Sequence, residues 1–211
     1  MKEESVFFKN SLISPGFTSY KIFMKVIRDF PCRIEEIKHV WIPMTDGCRL
    51  SARIWLPEDS QQNPVPAILE YIPYRKNDGT ALRDSLIHPF FAGHGYAAVR
   101  VDLRGSGDSE GILEGEYLQQ ELEDGIEVLE WISKQSWCDG NLGMMGKSWG
   151  GFNSLQVAAL QPNPLKAIIT VCSTDDRYSD DVHYMGGCVL ATDMLGWAST
   201  MLAWNARPPD P

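Results

Sequence analysis

Apolar residues along the chain fall into two periods. Val40-Trp41-Ile42-Pro43-Met44 reads as a strand, Asp46-Gly47 as a hairpin turn, and residues 49–56 alternate polar and apolar as a half-exposed antiparallel strand does. Residues 67–72, 97–102, 142–146 and 167–172 are short, mostly apolar runs of buried-strand length. Between them the period lengthens. Residues 85–92 predict a helix. Residues 117–134 carry Leu118, Leu122, Ile126, Leu129 and Ile132 on one helical stripe. Residues 152–160 predict a further helix, closed by Pro162 and Pro164. Antiparallel strands come first, then strand and helix alternate. That order predicts an α/β fold, with a mostly parallel sheet covered on both faces and antiparallel N-terminal strands. In such sheets, sites form at the carboxyl ends of the strands.

The two ends of the chain read differently. Residues 1–38 show no clean period and are expected to form an N-terminal extension, with a short helix over 22–27. After Cys172, residues 173–181 hold four aspartates and an arginine with no apolar period. Residues 183–204 are rich in Met, Gly, Leu and Trp and are expected to be helical, and 207–211 reads as a linker. An isolated apolar segment followed by a proline-rich stub suggests a chain cut short.

Composition narrows the function classes. Net charge is -9 with no cluster of Lys and Arg, so nucleic acid is an unexpected partner. Five cysteines, an odd count without C-x-x-C, argue against a disulfide framework or zinc knuckle and for a reducing compartment. The N-terminus has no signal-peptide h-region, and no run approaches ~18 apolar residues, so no membrane span is expected. The expected location is the cytoplasm.

The motif that carries chemistry is Gly146-Lys147-Ser148-Trp149-Gly150, with a strand before it and a helix after it. It matches the G-x-S-x-G nucleophile elbow of the α/β-hydrolase fold. A serine on a tight strand-to-helix turn needs small neighbours, and the helix start aims free N–H groups at a developing oxyanion. The N–H of Trp149 would be one such donor. The loop Gly105-Ser106-Gly107-Asp108-Ser109-Glu110-Gly111 approaches a dinucleotide fingerprint, but Glu110 stands where glycine is needed. His88 and His94, six apart around Pro89, make no convincing metal pair. Neither a cofactor nor a metal is expected.

Further segments widen the match. They are Met44-Thr45-Asp46-Gly47-Cys48-Arg49-Leu50, Ile68-Leu69-Glu70-Tyr71-Ile72-Pro73-Tyr74-Arg75-Lys76, residues 95–111, Glu123-Asp124-Gly125, and residues 137–144. With the elbow, they resemble the CocE/NonD and X-Pro dipeptidyl-peptidase (S15) serine hydrolases, in the family's order over roughly residues 40–190. That group includes cocaine-esterase-like enzymes, α-amino-acid ester hydrolases and glutaryl-cephalosporin acylases. The resemblance implies that Ser148 is the acylated nucleophile and that the Trp149 N–H and the Tyr74 hydroxyl form the oxyanion hole. It also implies that Asp180 and Asp181 lie where some relatives hold a substrate ammonium; a solvated acidic loop is the alternative reading. On the family's pattern, residues 39–182 form the N-terminal part of the hydrolase domain and 183–211 begin a helical cap.

The triad partners should follow Ser148 in the order Asp or Glu, then His. The histidine after it, His183, comes too early, and His39, His88 and His94 precede the serine. The chain is therefore expected to stop before the last strands and the triad Asp and His. Its expected substrate is a small-molecule ester or amide. The alternative is an inactive fragment or interaction subunit, one that self-associates or is completed by a C-terminal chain.

Overall fold

The computed structural model describes residues 29–179 and 181–210. The helix read over 22–27 lies outside the described residues. The elements, in chain order, are β1 (Ile34–Pro43), β2 (Arg49–Pro57), β3 (Val65–Ile72), α1 (Ala81–Gly93), β4 (Ala97–Asp102), α2 (Gln119–Ser133), β5 (Cys138–Lys147), α3 (Trp149–Ala159), β6 (Leu165–Val171), β7 (Tyr184–Met185), β8 (Cys188–Val189) and α4 (Ala191–Asn205). Six strands form one sheet in the order β1-β2-β4-β3-β5-β6. The β1–β2 and β2–β4 pairs are antiparallel, and β4, β3, β5 and β6 run parallel. This is the α/β architecture the periods predict.

Strand parity explains the layers. Ile54 and Val99 face the main core with Val128, Leu129 and Ile132 of α2 and Val157 of α3. Their neighbours Trp55 and Ala98 point to the other face, against Ala92 of α1. Successive strand residues alternate faces, so one sheet supports helices on both sides. β4 is buried at every position, as a central parallel strand must be.

Three sequence expectations change. β1 begins at Ile34, inside the stretch read as extension. A register shift between Ile37 and Val40 breaks its two-residue period, which hides the early half of the strand. Residues 184–189 form a small hairpin rather than helix, turned by Gly186 and Gly187 at φ 54° and 78°. Residues 207–210 are no free linker. Arg75 donates to the carbonyls of Trp204 (3.2 Å), Arg207 (2.9 Å) and Pro208 (2.8 Å), and the Asp210 N–H donates to Asp108 (2.8 Å). One guanidinium thus binds a carbonyl of the last turn of α4 and two just beyond it.

Candidate active site

Ser148 sits between the end of β5 and the first residue of α3, at φ 57° and ψ -119°. That region is sparsely populated by non-glycine residues and costs on the order of 1–3 kcal/mol. The surroundings enforce it. The Ser148 N–H donates to Val171 O on β6 (2.8 Å), and its carbonyl accepts the N–H groups of Gly151 (2.8 Å) and Phe152 (3.0 Å). The flanking glycines are a steric requirement. A Cβ on Gly146 would lie 2.2 Å from the Gly150 backbone, and one on Gly150 would lie 2.5 Å from Ile72 Cγ2. Ser148 is half-buried.

Tyr74 follows β3, the parallel neighbour of β5, so both residues leave the carboxyl ends of adjacent strands. Its hydroxyl lies within interaction range of the Ser148 side chain and the Trp149 N–H. Burial pushes its phenol above the ordinary value, and those two contacts offset part of the rise. A protonated phenol keeps its donor. Trp197 and Trp204 of α4 pack edge-on against the Tyr74 ring, with centroids 6.0 and 5.7 Å away. The Arg75 clamp on the end of α4 therefore also fixes the wall around Tyr74.

Trp149 is buried, and its indole donates to Glu121. Glu121 stands in the first turn of α2, and its carboxylate also accepts the Tyr117 N–H at 2.9 Å. An acid there complements the helix N-terminus. Burial nevertheless dominates and raises this carboxyl to about 7, against the smaller opposing pull of Trp149, Asn153 and Tyr117.

The acidic segment after β6 folds onto the same wall. The Asp181 carboxylate accepts from Arg177 Nε at 2.8 Å and lies 3.0 Å from His183 Nδ1. Burial opposes its charge, yet these hydrogen bonds hold it below the usual carboxylate range. His183 Nε2 is 3.0 Å from Glu116, off the hydrogen-bond direction, and Glu116 also accepts from the Trp197 indole at 2.8 Å. Among the described residues no histidine hydrogen-bonds Ser148. Asp180 lies outside the described residues. The structure thus gathers Tyr74, Ser148 and Trp149, and it puts Asp181 in an internal ion pair nearby. Sequence reasoning missed Glu116, Glu121, Arg177 and the α4 tryptophans. Arg177 and the tryptophans lie in segments without a period, and Glu121 lies on a helix whose stripe marks only its apolar face, so no local pattern announced them.

Most of the Gly-rich loop after β4 bonds inward. The N–H groups of Gly105, Ser106, Asp108 and Ser109 all meet internal acceptors, so none is free to cradle a phosphate. Glu70, Asp84 and His88 bring one donor atom each within 4.8 Å. Arg83 reaches both carboxylates at 2.6 and 2.7 Å, and Arg100 lies 3.3 Å from Asp84. Two guanidinium groups thus already occupy the positions a cation would take.

Residues 46–211 match the profile of the X-Pro dipeptidyl-peptidase (S15 family). The chain belongs to that family. This S15-family chain is 35% identical to cocaine esterase of Rhodococcus sp. (strain MB1 Bresler) over 164 residues, covering 76% of the chain and 28% of that protein. It superposes on a CocE/NonD family hydrolase of Staphylococcus aureus with a TM-score of 0.69 and 28% identity, covering 82% of the chain and 34% of that structure. An α-amino acid ester hydrolase gives a TM-score of 0.58 and 26% identity, covering 79% of the chain and 30% of that structure. The S15-family chain thus spans about a third or less of the length of these relatives. The family is one of hydrolases, and its α/β fold is the one described above. Among the described residues no helix is long and apolar enough to cross a membrane.

Proposed function

We propose that this chain supplies the nucleophile and oxyanion hole of a serine hydrolase that cleaves small-molecule esters or amides. The observation that carries the reading is Ser148, held at φ 57° on the turn from β5 to α3, with the Tyr74 hydroxyl in range of both its side chain and the Trp149 N–H. Ser148 Oγ attacks the substrate carbonyl carbon while its proton passes to a base. The carbonyl oxygen becomes an anion that the two donors stabilise. The tetrahedral adduct collapses, the alcohol or amine leaves with a proton, and water later releases the acid. The base and its carboxylate partner come from outside the described residues, because no described histidine hydrogen-bonds Ser148 and the His183 Nε2 faces Glu116 instead. The five cysteines are free thiols, which fits work in the cytoplasm.

A second reading has its own support. Among the described residues β6 pairs with β5 alone, and its Ile169 and Val171 are 59% and 49% exposed. An open parallel edge with apolar side chains suits a site completed by another segment or chain. One experiment separates the readings. The 211-residue chain is treated with an uncharged fluorophosphonate, with Ser148→Ala as control, and assayed on a chromogenic ester. Ser148-dependent labelling without turnover is the expected outcome. Labelling that persists in Ser148→Ala rejects the nucleophile assignment, and robust turnover by the isolated chain rejects the need for a completing segment.

A further inference from the structure

We propose that Arg177 is a built-in cation whose guanidinium fills an aromatic and carboxylate cage beside the Ser148 turn, so that this side of the site takes uncharged or anionic groups and excludes groups bearing an ammonium. That the cage borders a substrate site rests on the reading of Ser148 as nucleophile; the cage itself does not. Arg177 Cζ stands 4.6 Å from the centroid of Tyr117 and 5.6 Å from those of Phe152 and Tyr184. Its Nε donates to Asp181, whose side chain is 1% exposed. Ring faces carry negative potential, and a desolvated carboxylate adds a full charge.

The cage borders the candidate nucleophile. Phe152 lies in the first turn of α3, and its N–H donates to the Ser148 carbonyl. The Tyr117 ring is 4.9 Å from Phe152 and 5.2 Å from Trp149, the residue after Ser148. A mere loop staple would need only the four-residue reach from Arg177 to Asp181. Here the rings come from three separate places: the residue before the α2 cap, α3, and the β7–β8 hairpin. Three aromatics and a buried carboxylate make a site for one organic cation, and Arg177 already occupies it. A substrate ammonium would have to displace a tethered guanidinium, whose effective concentration is high. Arg177 keeps 34% of its side chain exposed, so its terminal nitrogens can donate to an incoming carbonyl or carboxylate.

The test titrates the whole chain by calorimetry with tetramethylammonium, and with tert-butanol as an uncharged match in shape. Wild type is expected to bind neither. Arg177→Met, checked by circular dichroism and melting, is expected to bind tetramethylammonium at least about tenfold more tightly than wild type, with tert-butanol unchanged. Adding Asp181→Asn should remove that gain. No gain in the folded variant, or an equal gain for tert-butanol, overturns the proposal. The wild-type chain gives a second measurement that needs no variant. Ring currents should shift the Arg177 side-chain proton resonances upfield, and tetramethylammonium should leave them in place. A dose-dependent loss of that shift means the cage exchanges its occupant, and it overturns the exclusion. Ser148-dependent fluorophosphonate labelling in the same preparations reports on the nucleophile separately. A cation gain without labelling supports the cage and sinks the hydrolase reading.

Discussion

Two buried glutamates lie on opposite faces of the same sheet, one on a strand and one on a covering helix, and obey opposite electrostatics. Glu70, on β3, lies under α1 with Arg83, Arg100, Asp84 and His88. Burial alone would raise its carboxyl. The His88 hydrogen bond and the charges of Arg100 and Arg83 outweigh that and leave it lowered. Glu121, on the face covered by α2 and α3, meets no cationic partner among the described residues, only the Trp149 indole, Asn153 and a backbone N–H. There burial wins, and the carboxyl rises to about 7. Similar burial gives opposite shifts because charge compensation, not depth, decides the sign.

The stability consequences also run in opposite directions. Glu70 binds its proton less readily folded than unfolded. Its contribution is present above the ordinary value of 4.5 and is lost as pH falls through its lowered folded value. Glu121 binds its proton more readily when folded. Stability is therefore fullest below 4.5 and is lost as pH rises through about 7, a change on the order of 3 kcal/mol.

Three substitutions break or sharpen this contrast. Arg100→Met strands Glu70 and Asp84 without their central cation and should lower unfolding free energy by about 3–5 kcal/mol in urea at pH 7. A loss below 1 kcal/mol would mean Arg83 alone suffices. Glu121→Gln removes a charge that burial opposes. The variant should gain about 1–3 kcal/mol over wild type at pH 8, shrinking toward zero as pH approaches 4.5. Equal differences at pH 5 and pH 8 would show that Glu121 does not titrate in this range. Lys134→Ala is the exposed reference. Its ammonium lies 3.5 Å from Glu130 with 73% of the side chain in solvent, so the change should stay under about 0.5 kcal/mol at any salt concentration. A larger shift would erase the distinction between exposed and buried pairs.

Much of the site was legible before the fold. Gly146, Ser148 and Gly150 announce the elbow because the turn excludes a Cβ at both glycines, a constraint written into residue identity. The approach of Tyr74 to Ser148 was legible only through the family resemblance, since nothing in its own neighbourhood in the sequence separates it from a core tyrosine. Arg177 was invisible as a cage occupant. Its three rings lie at positions 117, 152 and 184, and no period links them.

The sequence by itself determined the strand and helix order from β1 to β6, the parallel sheet with antiparallel N-terminal strands, and the place of Ser148 on the turn from β5 to α3. These follow from local sterics and from alternation of apolar residues, which act over a few neighbouring positions. Tertiary structure alone decided that residues 207–210 are clamped by Arg75 and that Asp181 belongs to an internal pair. It also decided that Glu70 and Glu121 titrate in opposite directions. Charge compensation depends on which side chains meet across the fold. Those meetings join residues tens of positions apart, where no local pattern reaches.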